Sequence, residues 1–497
     1  MTRKVADITA ARAIPFSFAR ANQILLADHQ EDRVTLYATI SASVDAISEV
    51  RRFFSAPVHI DLIEQVEFDR MLNEVYSKAE GSAAAVVGEI EGDFDLSSLM
   101  QEVKEVQDLI ESDDDAPIIR MINVLFSQAM RDNASDIHIE PFERSSVVRF
   151  RIDGVLRDIV SPKRELHAAL ISRIKIMAQL DIAEKRLPQD GRISLRLAGK
   201  PVDVRVSTLP TGHGERAVLR LLDKEAGRLE LTKLGMAEDT LTEIDHLIHQ
   251  PHGIILVTGP TGSGKSTTLY AALSRIDSKQ LNVMTVEDPI EYDLDGVGQT
   301  QVNAKIDMTF AKALRSILRQ DPDVIMIGEI RDLETAQIAV QSSLTGHLVL
   351  ATLHTNDAVS ALGRLVDIGV ESYLLASSLL GVLAQRLVRC LCPDCKKSYR
   401  PTTEENQLME FSVPLKKVYR PVGCETCRQT GYVGRTGIHE LVVIDDKIRT
   451  MIHNQTPEQE IRTYASSLGQ RTLRQDGQRL LKEGITSIEE ILRVTRD

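Results

Sequence analysis

Tryptophan is absent from this chain of 497 residues, and aromatic side chains make up only 4% of it. Proteins that bind single-stranded nucleic acid by stacking need aromatic faces for the bases. Binding to duplex DNA relies on clustered Lys and Arg that neutralise phosphates, and the sequence has no basic stripe. The composition therefore argues against a nucleic-acid partner.

Long hydrophobic runs are also missing. The amino terminus interrupts each short apolar run with Arg or Asp, so we predict no signal peptide and a cytoplasmic location. The most membrane-like stretch, YLLASSLLGVLAQRLV, begins at Tyr373 and is 16 residues long. It falls short of the roughly 20 apolar residues that a spanning helix needs, and we expect a buried helix there.

Acidic residues exceed basic ones, but the excess is local. The net charge is -13, and residues 89–115 hold eleven acidic residues and one lysine, a net of -10, which leaves -3 for the other 470 residues. A like-charged stretch that follows a run of small residues repels itself and extends. We therefore predict a linker over residues 81–115, interrupted by a short amphipathic helix within residues 96–110.

The region after this linker mixes strand and helix patterns. Alternation of apolar and polar residues predicts strands at 134–141, 145–156 and 216–222, a hairpin over 191–210 that turns at AGKP, and helical spacing predicts a helix at 165–180. These elements indicate a compact α+β domain.

A P-loop is the most specific motif in the chain. An apolar strand at 254–257 runs into GPTGSGKST at 259–267 and then a helix, which is the context that a P-loop requires. Lys265 is predicted to reach the β and γ phosphates of a nucleotide, and Ser266 to bind Mg²⁺. The predicted nucleotide-binding residues are Gly259, Pro260, Thr261, Gly262, Ser263, Gly264, Lys265, Ser266 and Thr267.

Two acidic segments follow the P-loop. One strand ends in Glu287, Asp288 and Glu291 (TVEDPIEY), and another ends in Glu329 (IMIGEIRD). One carboxylate at such a strand end can hold Mg²⁺ or its water shell, and another can orient or deprotonate the attacking water. Spacing alone leaves open which acid has which role.

Cysteine is scarce, and all five cysteines lie within residues 390–427. Cys392 with Cys395 and Cys424 with Cys427 form two knuckles, and in a reducing cytoplasm such pairs indicate zinc rather than disulfides. Four thiolates close a tetrahedral shell, so the predicted metal is structural. Cys390 is left over, and the 28 residues between the knuckles must loop out and return.

Taken in order, the P-loop, the acidic segments and TGHLVLATLHTND resemble the Walker A, aspartate, Walker B and histidine boxes of the secretion ATPase superfamily. ASDIHIEP, RLPQDGRI and the cysteine pairs resemble its assembly-type branch, which drives type II secretion, and IPFSFARANQILL near the start is similar to the amino-terminal domain of the general secretion pathway E proteins. The resemblance implies a RecA-like α/β ATPase core preceded by an α+β domain of PAS-like shape. The implied domains are an N-terminal docking domain (1–80), the linker (81–115), the PAS-like domain (116–225), the core (226–389), a zinc-binding subdomain (390–437) and a C-terminal helical subdomain (438–497).

The resemblance also implies roles for single residues. Glu291 matches the general base and Glu329 the Walker B acid, whereas His347 and His354 match histidines thought to sense the γ phosphate. Arginines that reach nucleotide or a neighbouring subunit are matched by Arg205, Arg220, Arg315, Arg319 and Arg331.

The function implied is that of a hexameric motor that hydrolyses ATP, with Mg²⁺, to power type II secretion through pseudopilus assembly at the cytoplasmic face of the inner membrane. The implied partners are the cytoplasmic domain of the bitopic secretion protein L and the platform protein F, which would hold the motor peripherally. A type IV pilus assembly ATPase shares every catalytic motif and is the nearest alternative. A nucleic-acid motor and a nucleotide-binding scaffold without turnover are the others.

Overall fold

A computed structural model of the chain describes residues 14, 18–19, 22–30, 33–54, 56–65, 67–68, 71–72, 117–197, 200–223, 230–411 and 413–495. The acidic linker predicted over residues 81–115, with its short helix, lies outside the described residues. The chain divides into two compact units, Met1–Lys224 and Glu225–Asp497. Within the described part of the chain, no helix is both long and apolar enough to cross a bilayer.

The first unit begins with a small three-stranded sheet. Its elements are β1 (Ile24–Gln30), β2 (Arg33–Ala38), α1 (Val44–Phe54) and β3 (Val58–Leu62). Strand β2 lies in the middle, antiparallel to β1 and parallel to β3, so α1 makes the crossover that a parallel pair requires. The sheet and helix enclose their own core, which includes Ile24, Leu26, Leu36 and Val50.

The same unit contains a six-stranded antiparallel sheet with order β6-β5-β4-β9-β8-β7. Its elements are α2 (Pro117–Arg131), β4 (Ala134–Pro141), β5 (Ser146–Ile152), β6 (Val155–Val160), α3 (Leu166–Met177), β7 (Gln189–Leu197), β8 (Lys200–Thr211) and β9 (Gly214–Asp223). The predicted strand at 134–141, the hairpin, the helix and the last strand are confirmed. The single strand predicted at 145–156 is wrong, because Asp153 and Gly154 take positive φ angles of 50° and 83° and turn the chain into a second hairpin.

The second unit is built on a seven-stranded sheet with order β12-β11-β13-β14-β10-β15-β18. The strands are β10 (Gly253–Thr258), β11 (Val283–Glu287), β12 (Gly298–Gln301), β13 (Val324–Ile327), β14 (Leu348–Leu353), β15 (Leu379–Leu391) and, after an insertion, β18 (Tyr432–Val443). The helices around them are α4 (Glu238–Ile248), α5 (Lys265–Leu273), α6 (Phe310–Ile317), α7 (Leu333–Leu344), α8 (Ser360–Ile368) and α9 (Ser372–Ser378). The first six strands of the order are parallel, and β18 pairs antiparallel with β15. The predicted α/β fold is confirmed.

The buried helix expected from Tyr373 onward is only half correct. The chain forms α9 and then enters β15, which lies between β10 and β18. A strand that is covered on both faces reads as a continuous apolar run, and periodicity does not distinguish such a strand from a buried helix. Gly381 indicates the close packing, because a Cβ there would lie 2.8 Å from Leu247.

The cysteine knuckles flank an insertion between two strands of the core sheet. Leu391 at the end of β15 pairs with Tyr432 at the start of β18, and the insertion holds β16 (Lys397–Tyr399), α10 (Thr403–Leu408) and β17 (Val418–Arg420). This pairing explains how 28 residues leave the sheet and return to the same place. The domain borders predicted at 389/390 and 437/438 lie inside β15 and β18.

Four helices complete the second unit: α11 (Asp446–His453), α12 (Glu458–Ser467), α13 (Leu473–Lys482) and α14 (Ile488–Thr495). Glu490 of α14 is fully buried and accepts hydrogen bonds from the Arg389 side chain at 2.5 Å and from Arg493 at 2.9 Å. Burial alone would raise the pKa of Glu490, but the hydrogen bonds from Arg493 and Arg389 lower it to about 2. This carboxylate therefore anchors the last helix to β15.

The first prediction concerns the stability of this anchor. The folded pKa of Glu490, about 2, lies below the value of about 4.3 for an unfolded chain, so the charge stabilises the fold above about pH 5 and less as the pH falls toward 2. We expect Glu490→Gln to lower the free energy of unfolding by about 2 to 3 kcal/mol at pH 7. At pH 3 the difference should shrink by about half. Urea unfolding at both pH values measures it, with the more exposed Glu483→Gln as the control, and an equal loss at both pH values would contradict the assignment.

Candidate active site

The P-loop follows β10 at the carboxyl edge of the parallel strands. Gly259 and Gly264 have φ angles of 149° and 89°, and Gly264 directly precedes α5. A Cβ at Gly259 would lie 2.5 Å from the carbonyl oxygen of Gln385, so glycine is required for the loop to rest on β15. The loop therefore presents its backbone N–H groups and the start of α5 at one place, as phosphate binding requires.

Lys265 is 9% exposed, and its Nζ donates to the carbonyl oxygens of Gly259 at 2.8 Å and Pro260 at 3.1 Å. Burial, with a further contribution from the Arg386 guanidinium, lowers the pKa of Lys265 to about 8. An anion bound beside the loop would gain the attraction of the Lys265 charge in a partly desolvated site.

Glu329 and His354 meet at the same edge of the sheet. Glu329 follows β13, and one of its oxygens lies 3.4 Å from Nε2 of His354, which follows β14. Arg331 forms an ion pair with the other oxygen of Glu329 and lies 3.7 Å from Asp288. Burial, and then the charges of Lys265 and Arg331, lower the pKa of His354, which favours the neutral imidazole.

The three acids of the aspartate box occupy different environments. Glu287 is 4% exposed and accepts hydrogen bonds from the Tyr270 hydroxyl, from Thr285 at 2.5 Å and from Gln299 at 3.1 Å. Its oxygens are therefore engaged inside the core. Asp288 lies 3.7 Å from Arg331. The role of Glu291 as the base rests on the resemblance described above and stays a prediction.

The structure does not bring His347 to this edge. His347 precedes β14 and His354 follows it, and the six residues between them span about 20 Å. Nδ1 of His347 is 2.8 Å from the carbonyl oxygen of Ser342 at the end of α7. His347 therefore lies at the opposite end of β14 from His354 and the P-loop, and its role as a phosphate sensor stays a prediction.

The predicted arginines lie in both units. In the first, Arg205 and Arg220 are paired neighbours on β8 and β9, and Arg220 contacts Asp136 at 2.9 Å. In the second, Arg315 binds Glu334 at 2.6 Å, and Arg319 donates to the carbonyl oxygen of Arg315 at 2.8 Å. Among these five arginines, Arg331 is the one that forms the ion pair with Glu329 described above.

Several residues of the site were missed by the sequence reasoning. Gln385 of β15 accepts a hydrogen bond from Thr268 of α5 at 2.6 Å. The next residue, Arg386, donates hydrogen bonds to the backbone and side-chain oxygens of Asn356, both at 3.0 Å. Asn356 lies two residues after His354, so these bonds hold the loop that follows β14. The sequence did contain a sign of these residues, because Gln385 and Arg386 interrupt an apolar run. A buried strand tolerates two such polar side chains only when both have hydrogen-bond partners.

The four predicted cysteines form one cluster. Their sulfur atoms all lie within 4.8 Å of one another, and Sγ separations are 3.8 Å for Cys392 to Cys424 and for Cys395 to Cys427. Thiolates at about 2.3 Å from a shared tetrahedral metal would be about 3.8 Å apart. Backbone N–H groups of Gly423 and Gly431 point at the sulfurs at 3.3 and 3.1 Å, so the cluster fits a metal-bound thiolate set.

Comparison with known families accounts for this arrangement. The family model described as type II/IV secretion system protein matches residues 111–493, and a model of an amino-terminal domain of GSPII protein E matches residues 13–76. The chain belongs to the type II/IV secretion system protein family. The predicted membership is confirmed, and it extends over both described units.

Curated relatives of this family match nearly the whole chain. The type II secretion system protein HxcR of Pseudomonas aeruginosa is 62% identical over 97% of this chain and 99% of its own length. The type II secretion system protein E of the same organism is 55% identical over 100% of both chains. The type II secretion system ATPase E of Vibrio cholerae is 52% identical over 99% of this chain and 98% of its own length.

Solved structures support the same fold. The pilus retraction motor PilT with bound ADP is 28% identical, has a TM-score of 0.52, and covers 75% of this chain and 96% of its own. The ATPase DotB of Legionella pneumophila, at 21% identity and a TM-score of 0.56, shares the fold over 80% of this chain and 98% of its own. The RecA-like core of this secretion family member is thus confirmed.

Proposed function

We propose that this chain is an ATP hydrolase that powers type II protein secretion. The observation that carries this proposal is one sheet edge that holds the P-loop with Lys265, Glu329 after β13 and His354 after β14. Relatives that match it over their full lengths are named for type II secretion, which supports the same conclusion.

The residues divide the reaction between them. The loop N–H groups and Lys265 would bind the β and γ phosphates, and His354 would donate a hydrogen bond to the γ phosphate. Ser266 and Glu329 would hold Mg²⁺, which would neutralise charge on the phosphates. Glu291 would accept a proton from the attacking water as the water oxygen bonds to the γ phosphorus and the bond between that phosphorus and the oxygen of the leaving ADP breaks.

A type IV pilus assembly ATPase is the competing interpretation, and a solved pilus protein with which the chain can be compared is a retraction motor. The pilus retraction motor matches at 28% identity, whereas the curated secretion proteins cited above match at 52% to 62% and over more of the chain. The separate match of residues 13–76 to an amino-terminal domain of GSPII protein E also favours secretion. The other alternative, a nucleotide-binding scaffold without turnover, is tested by measuring ATP turnover of the parent chain in the assay described next.

The second prediction tests the base. Glu291→Gln should lower the turnover number for ATP by about 10² to 10⁴ while KM changes little, because the amide cannot accept the proton of water. A phosphate-release assay on the full chain measures both constants. Glu404→Gln, an exposed change in the insertion, is the matched control. Turnover at the parent rate in Glu291→Gln would show that Glu291 is not the base. Absence of turnover in the parent chain would contradict the proposed function.

We propose a homo-hexamer as the active form. Arg315 and Arg319 are exposed on and just after α6, and a closed ring can place such arginines at a neighbour's nucleotide. Arg205 and Arg220 are assigned the same role from the first unit. The motor would act at the cytoplasmic face of the inner membrane, near the platform protein F.

We propose that the cysteine cluster binds one structural zinc. Four thiolates leave no open position for a substrate, and the site closes the end of the β15–β18 pair. Zinc would hold the two knuckles together and fold the insertion between them, because binding and folding are coupled at such sites.

The third prediction is therefore a metal count. Metal analysis of the purified chain should find one zinc per chain, retained in Cys390→Ser and lost in Cys395→Ser. Limited proteolysis should then cut the insertion of Cys395→Ser first, since its fold depends on the metal. Zinc lost from Cys390→Ser and kept in Cys395→Ser would mean that the wrong four ligands were chosen.

We propose that residues 1–80 dock this motor on the cytoplasmic domain of the bitopic secretion protein L. The three-stranded sheet and α1 have a core of their own, which includes Leu25, Leu36 and Phe68, as an independent domain requires. The like-charged linker after it would let the docked domain stay in place while the ring moves.

The fourth prediction separates docking from simple packing. A fragment of residues 1–80 should fold and bind the cytoplasmic domain of protein L. The remaining chain, from residue 81 onward, should keep basal ATP turnover but no longer co-sediment with membranes that contain the partner. Co-sedimentation of the truncated chain would place the docking surface elsewhere.

A further inference from the structure

We propose that Tyr270 is a positioning residue for ATP hydrolysis, because its hydroxyl ties the P-loop helix to the backbone of the loop that carries Glu291. This inference rests on the proposed function and assigns a role to a residue outside the predicted motifs. Tyr270 lies five residues after Lys265 on α5 and is 1% exposed.

The Tyr270 hydroxyl joins three segments that are separate in sequence. It donates to one oxygen of Glu287, which ends β11, and accepts the backbone N–H of Glu291 at 3.3 Å. Nε2 of Gln299 on β12 lies 3.5 Å from the same hydroxyl oxygen. The Tyr270 ring also packs edge-on against Tyr292, with ring centroids 4.5 Å apart.

Gln299 fastens the other side of the same loop. Its Nε2 donates to Glu287 at 3.1 Å and to the carbonyl oxygen of Tyr292 at 3.2 Å, and its Oε1 accepts the N–H of Leu294 at 2.7 Å. The backbone of residues 291–294 is thus held at three points by two side chains. Both side chains also bind the buried carboxylate of Glu287, so the loop and the helix form one network.

Burial, and then Glu287, raise the pKa of Tyr270 far above its ordinary value, so the phenol keeps its proton. A protonated hydroxyl donates once, to Glu287, and keeps lone pairs that accept the N–H of Glu291. Loss of the hydroxyl would leave a buried carboxylate oxygen and a backbone N–H without this partner. The loop would then lose its hydrogen-bonded link to α5, the helix whose first residue is Lys265, and keep the ring contact with Tyr292.

The network acts on position rather than on chemistry. Tyr270 contacts the backbone of Glu291 and the side chain of Glu287, neither of which is a group that binds phosphate. A base displaced by about 1 Å can lower a rate by about 10²-fold. We therefore expect Tyr270→Phe to lower the turnover number by about 10 to 100-fold and to leave KM for ATP within about twofold.

The fifth prediction tests this role with a double-mutant cycle in the full chain. If Tyr270 acts through Glu291, then adding Tyr270→Phe to Glu291→Gln should cause no further loss of turnover. Tyr432→Phe is the matched control. It removes another buried phenol hydroxyl, which bonds Ser487 at 2.7 Å, and it should lower thermal stability by a similar amount without changing turnover.

Gln299→Ala provides a second variant if Tyr270→Phe does not fold, and it should show the same loss of turnover and the same lack of additivity. Parent-like turnover in a folded Tyr270→Phe would overturn the inference. Losses that multiply with that of Glu291→Gln would also overturn it, because they would show action independent of the base. A parent chain that does not hydrolyse ATP would instead refute the proposed function.

Discussion

Parallel pairing of β10 with both β14 and β15 is the constraint on which the site depends. It places the carboxyl ends of these strands at one edge, so residues as far apart in sequence as Thr258 and Ala384 become neighbours. The P-loop follows β10, His354 follows β14, and Gln385 lies within β15 just beyond the residues that pair with β10. Because β10 is buried along its whole length, the loop that follows it has a rigid base.

The antiparallel pair of β15 and β18 extends the same sheet in a different direction. The middle of β15, at Gln385, lies beside the P-loop, and one end of the pair reaches the cysteine cluster. Arg389, three residues before Cys392, binds the buried carboxylate of α14 and stacks over the ring of Tyr432. The ATPase core, the insertion between the cysteine knuckles and the last helix therefore share one pair of strands.

The sequence was sufficient for motifs whose chemistry is local. The P-loop, the strand-end acids and the cysteine pairs can each be recognised from a few consecutive residues. The structure places Glu329 and His354 at the sheet edge that carries the P-loop with Lys265, and it gathers the four thiols in a separate cluster. Residues such as Tyr270 and Gln385 could not be found in this way, because their partners lie 17 and 117 positions away and depend on strand order. The same limit explains the wrong strand at 145–156 and the half-correct helix after Tyr373, where a local pattern fits two structures and long-range pairing selects one.

Gln385 and Cys392 lie seven residues apart on and just after a single extended strand, a distance of about 23 Å. The pairing of β15 with β10 ends at Ala384, and from Gln385 to Leu391 the strand runs on as an antiparallel pair with β18. The carbonyl oxygen of Gln385 lies against Gly259 at one end of this segment, and the cysteine cluster lies at its other end. One continuous ladder of backbone hydrogen bonds therefore connects the support of the P-loop to the cysteine cluster.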